Sequence, residues 1–149
     1  MSRAIRGPST GFQMDTKTVE LTTHAALVKG DVVSVLTTTV ANGLMTTTKA
    51  AAGAASLASG AEIVVVAMED IASGAVGTFA YEGIIDVQCV TTNLDVGDYL
   101  IADNGATLAL IVADVDEFKI VGICLEDNSA TGPVKCLFNG LYGLGSAIV

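Results

Sequence analysis

The stretch that decides the fold is Val121-Gly-Ile-Cys-Leu-Glu-Asp127 followed by Val134-Lys-Cys-Leu-Phe-Asn-Gly140. It restates an earlier passage, Val64-Val-Val-Ala-Met-Glu-Asp70 followed by Gly77-Thr-Phe-Ala-Tyr-Glu-Gly83. Residues 68–83 and 125–140 align without a gap. Working outward, Gly30-Asp31-Val32-Val33 and Asn42-Gly43 precede the first passage, and Gly97-Asp98-Tyr99-Leu100 and Asn104-Gly105 precede the second. The same markers occur in the same order. A unit this small cannot bury its own apolar face, so two copies must pack or pair to make a core. Duplication of this kind points to a scaffold rather than a catalyst.

The segments between the markers read as strands. Thr18-Val-Glu-Leu-Thr22 alternates, as a half-buried strand does, and Val32 to Val40 is β-branched almost throughout. Asn42-Gly43 then predicts a tight hairpin over residues 32–49, because both central positions of that turn need positive φ. Residues 98–113, with Asn104-Gly105, repeat the logic. Ile63 to Met68 and Lys119 to Leu125 are continuous apolar runs of strand length, the expected core strands. Asp114-Val-Asp-Glu117 reads as an acidic turn, residues 50–61 (AAAGAASLASGA) as a loop or short helical turn, and residues 141–149 as a C-terminal strand or an edge contact. The expected organisation is an extended N-terminal arm, residues 1–15, and one β domain, residues 16–149.

Composition narrows the function. Hydrophobic residues make up 51% of the 149 and charged residues 15%, which excludes wholesale disorder. No apolar run reaches the roughly 18 residues of a membrane span, so no membrane partner is expected. The net charge is −9. Arg3 and Arg6 are the only charges among the first 14 residues, so the acidic body disfavours nucleic acid as a partner. Much apolar surface on a soluble chain fits the subunit of an assembly. Cys89, Cys124 and Cys136 sit singly in apolar runs, which predicts buried reduced thiols and a chain made in the cytoplasm.

Enzymatic chemistry finds no support. His24 is the sole histidine, and no nucleophile elbow, HExxH or phosphate-binding glycine loop accompanies it. The pairs Glu69-Asp70 and Glu126-Asp127 are the best acid–base candidates. Adjacent strand residues point to opposite faces, however, and each pair stands where a strand meets a Gly/Ser turn, so a cap is the better reading. No catalytic residue, cofactor or metal site is expected, and the chain reads as no enzyme.

Taken in order, Gly30-Asp-Val-Val33, Val64 to Asp70, Ala72-Ser-Gly-Ala-Val76, Tyr81-Glu-Gly83, Val96-Gly-Asp-Tyr-Leu100, Val121 to Asp127 and Val134 to Gly140 resemble the small capsid decoration, or cement, proteins of tailed bacteriophages. The likeness covers roughly residues 18–142. The Ala-rich residues 50–61 and the Thr-rich first hairpin depart from that pattern. The resemblance implies a compact all-β body, barrel- or tulip-like, built from the two hairpin units. It also implies binding to the outside of an expanded capsid, commonly as a homotrimer, with the major capsid protein as partner. The arm is then the expected contact, with Arg3 and Arg6 meeting acidic groups and Ile5 and Phe12 anchoring apolar ones. A tail, fibre or head-surface β-module of a virion is the alternative, and a hydrolase, a sugar-binding domain or a bacterial adhesive module are more distant ones.

Overall fold

The computed structural model describes residues 15–48, 63–90, 93–102, 110–112, 120–141 and 143–144. Residues 1–14 of the expected arm, the Ala-rich segment, the Asn104-Gly105 turn and the Asp114 to Glu117 turn lie outside these residues. The described residues are all-β: β1 (Lys17–Thr22), β2 (Val32–Ala41), β3 (Leu44–Thr48), β4 (Val64–Ala67), β5 (Val76–Cys89), β6 (Tyr99–Ala102), β7 (Leu110–Val112), β8 (Gly122–Cys124) and β9 (Gly132–Asn139).

One sheet contains all nine, in the order β1-β3-β2-β4-β5-β7-β6-β8-β9, with β1–β5 and β5–β9 pairings besides. Those two pairings close the sheet twice. Strands β1, β3, β2, β4 and β5 form one five-stranded ring, and β5, β7, β6, β8 and β9 form another. The barrel expectation therefore holds, in a form that repeat counting alone does not reach: two small barrels with one strand in common. Strand β5 is 14 residues long and serves both. Closure leaves no strand without a partner on either side, although β1 meets β3 only at Thr22 and Thr46, and β5 meets β7 only at Cys89 and Leu110.

The duplication extends to the register. In the first ring Val32 pairs with Val66, and Val66 with Ala80. In the second, Tyr99 pairs with Ile123, and Ile123 with Leu137. The first half of β5 pairs antiparallel with β1, setting Val19 opposite Phe79. Its second half pairs with β9, setting Ile85 opposite Cys136. The C-terminal half of β5 thus plays for the second ring the part β1 plays for the first. Between the halves stands Gly83, with φ of 144°, a backbone conformation that only glycine adopts freely. A Cβ there would lie 2.9 Å from the Cα of Thr16.

The expected hairpin is present: β2 and β3 pair antiparallel around Asn42 and Gly43, with φ of 54° and 76°. Strands β6 and β7 pair antiparallel as expected too. Strand β4 is buried on both faces, which explains its unbroken Val-Val-Val-Ala. Its inward residues Val65 and Ala67 join Leu21, Leu27, Val33, Ile71 and Phe79 in the first core. Its outward residues Val64 and Val66 join a second, larger core around Leu100, Cys124, Cys136 and Phe138. The rings are thus packed together as well as sharing a strand.

Candidate interaction surfaces

The paired acids build the corners of the fold. Gly30 and Gly97, with φ of 94° and 97°, turn the chain into β2 and β6, and their amides donate to Ala67 O and Cys124 O, each at 2.8 Å. The following aspartates fasten the turns: Asp31 Oδ2 accepts from Val28 N at 2.8 Å and Asp98 Oδ2 from Asp95 N at 3.0 Å. Asp70 Oδ1 then accepts from Lys29 N, and Asp127 Oδ1 from Val96 N, both at 2.9 Å. Glu69 Oε1 accepts from Thr78 N at 3.1 Å and Glu126 Oε1 from Lys135 N at 2.8 Å. Each Glu-Asp pair is therefore splayed, one carboxylate to the neighbouring strand and one to the corner. Neither pair converges on a common point; both stand in the turns just beyond β4 and β8, as strand-end caps do.

Two predictions arise here. Asp70→Ala and Asp127→Ala each remove one acceptor from a backbone amide and should cost about 1 kcal/mol, read from urea midpoints, while Asp→Asn retains the acceptor and costs less. Asp31 behaves differently. Burial pushes its carboxyl above the usual range, opposed by the hydrogen bond from Val28 and reinforced by the charge of Asp70. The folded state then holds this proton more tightly than the unfolded chain does. Its contribution to stability is greatest below the ordinary carboxyl range and declines as pH rises through the raised pKa. Asp31→Asn should flatten that decline in urea midpoints measured from about pH 4 to about pH 7.

His24 and the cysteines likewise find their roles in local structure. His24 is exposed, its amide donates to Thr47 Oγ1 at 3.1 Å and its Nδ1 lies 2.9 Å from the same oxygen. Partial burial lowers its pKa. The three cysteines are buried, as expected. Burial pushes the Cys136 thiol far up, and the Cys124 thiol up as well, its Sγ donating to Glu126 O at 2.9 Å. Among the described residues no three His, Cys, Asp or Glu side chains stand close enough to hold a metal ion.

Two concave surfaces stand out among the described residues. A pocket of about 230 Å³ lies where β5 passes between the rings, lined by Thr16, Lys29, Met68, Ile84, Asp86 and Lys135 among others. The remaining described lysine, Lys17, pairs with Glu82 at 3.0 Å, and that hydrogen bond, with the glutamate charge, raises its pKa. An apolar groove of about 180 Å³ opens onto the first core, lined by Val19, Leu21, Val35, Met45, Val65 and Tyr81 among others. It lies where β1 and β3 diverge, their pairing being confined to Thr22 and Thr46. Val19 and Met45 are 37% and 46% exposed. On the second ring Tyr99 is 54% exposed, and Ile123 and Leu137 beside it are half-buried. Sequence reasoning passed over both surfaces, since an apolar residue on a strand reads as core unless the facing strand is known. The expected contact residues Arg3, Ile5, Arg6 and Phe12 lie outside the described residues.

No family model matches the sequence, and no curated protein is similar to it. The fold is similar to that of the head fiber gp8.5 N base in bacteriophage phi29, with a TM-score of 0.58 and 12% sequence identity, over 86% of this chain and 98% of that one.

Proposed function

We propose that the chain is a structural module of a phage head, seated on the outer surface of the capsid as the base of a head appendage. The observation that carries this reading is the fold likeness to the head fiber base, which takes in 98% of that chain. The repeat markers, which resemble decoration proteins, point to the same part of a virion. The corner carboxylates accept hydrogen bonds from the backbone instead of converging on a substrate, which suits a module that works by shape and buried area.

In this reading the major capsid protein is the partner, the chain acts as a homotrimer, and the arm with Arg3, Ile5, Arg6 and Phe12 reaches the shell. If it covers the capsid at high copy number, the same contacts bridge capsid subunits, each modest alone and additive over the shell. Quantitative mass spectrometry of separated heads and tails, against the major capsid protein, tests the proposal. The expected result is presence in heads and absence from tails. A ratio near parity assigns a cement role and a low ratio a fibre base, whereas absence from heads overturns the reading. Deletion of residues 1–15 should abolish or weaken binding to heads lacking the protein while leaving the circular dichroism spectrum intact.

A further inference from the structure

The two rings offer the same pair of surfaces, and among the described residues only one of each is covered. On the outside of the first ring, Val32, Val66 and Ala80 stand in one cross-strand row and are fully buried. They belong to the second core, together with Ile85, Val87, Ala102 and Phe138 of the second ring. The register identifies the counterparts of that receiving surface. Ile85 and Val87 face Cys136 and Val134 across the ladder, as Val19 and Leu21 face Phe79 and Gly77. Ala102 and Phe138 correspond in the same way to Val35 and Tyr81. Val19, Leu21, Val35 and Tyr81 are the walls of the exposed apolar groove. The counterpart of the buried outer row is Tyr99, Ile123 and Leu137, which stands exposed or half-buried on the second ring. Each chain therefore displays a groove of the kind that receives a row, and a row of the kind that fills a groove.

We propose that copies of this chain associate head to tail, the outer row of the second ring of one copy (Tyr99, Ile123, Leu137) seating in the first-ring groove of the next (Val19, Leu21, Val35, Met45, Tyr81). This reproduces between chains the packing that joins the two rings within one. Such a contact joins two different patches, so it closes into a cyclic oligomer where the rotation allows and otherwise continues as a filament. The inference deepens the trimeric reading above and is independent of where in a virion the chain resides. A few well-packed residues near the centre of an interface carry most of its energy, and an unpaired charge buried there is costly, so one Asp at either patch is disruptive.

The test uses the full chain in sedimentation velocity, with Tyr99→Asp to spoil the row and Met45→Asp to spoil the groove. Both positions are about half exposed in one copy, so the fold tolerates the change. The wild type is expected to be oligomeric, and each variant to associate at least about tenfold more weakly. An equimolar mixture of the two variants should form a two-chain species and stop there, because one intact row meets one intact groove. A monomeric wild type overturns the proposal, as does a variant that associates like the wild type, or a mixture that forms no two-chain species. Should Met45→Asp lose its native circular dichroism spectrum, Val19→Asp carries the groove arm of the test. A monomeric wild type leaves the head-surface reading standing, and absence from heads leaves this interface standing, so the two fail separately.

Discussion

Gly140→Ala should leave little or no folded protein. A Cβ at this position would overlap the carbonyl oxygen of Val64, lie 2.6 Å from the carbonyl carbon and approach the Phe138 ring to 2.9 Å. The chain cannot retreat, because the Gly140 amide donates to Tyr81 O at 2.9 Å and its carbonyl accepts from Val64 N at 2.9 Å. These two bonds tie the end of β9 to β5 and β4 at the seam between the rings. Relieving the overlap means breaking them and shifting a strand buried on both faces. The cost is several kcal/mol against a total stability of about 5–15 kcal/mol. Soluble yield and far-ultraviolet circular dichroism read the outcome. Gly43→Ala is the control: its Cβ would meet nothing within 4 Å, and only the φ of 76° is penalised, at about 1 kcal/mol. A well-folded Gly140→Ala protein would mean that the rings are not packed as described.

Phe79→Ala should weaken both rings together. Phe79 is fully buried in the first core, and truncating such a side chain costs about 3–5 kcal/mol. The more telling readout is where the loss appears. Phe79 sits in the half of β5 that pairs with β1 and β4, while residues beyond Gly83 on the same strand pair with β9. Hydrogen exchange should show protection falling alike in β1 and in β9, and denaturation should remain a single transition at lower urea. If β9 amides keep their full protection while β1 loses its own, the rings unfold as separate units and the shared strand does not couple them.

The repeat was legible because its markers are chemically constrained. Asn42-Gly43 must turn, Gly30 and Gly97 must adopt positive φ, and the Glu-Asp pairs must cap, so the same residue types return at the same places. Strand β4 was legible from its unbroken apolar run. What escaped was the correspondence between Lys17–Thr22 and the second half of β5. Thr18-Val-Glu-Leu-Thr22 and Ile84-Ile-Asp-Val-Gln88 share alternation but no distinctive residue, since walls of a barrel are held by backbone pairing and ask little of individual side chains. Glu82-Gly83 therefore reads as the end of a copy, although it is the point where one strand changes ring. The groove and the outer row stayed hidden for a related reason: whether Val19 or Tyr99 is covered depends on which ring the strand faces, and periodicity alone does not carry that information.

A chain whose two halves each take their own stretch of one strand has a single natural place to be cut, at Gly83, which would leave every wall of both rings in hand. What either half would lose is its cover, because Val32, Val66 and Ala80 lie outside the first ring and are buried in the core of the second. Recombination that respects the fold is then expected to move the pair intact, or to break near Gly83 and supply a new cover for that row. The lineage of such a protein is thus expected to vary in its loops and outer faces while the number of rings stays fixed.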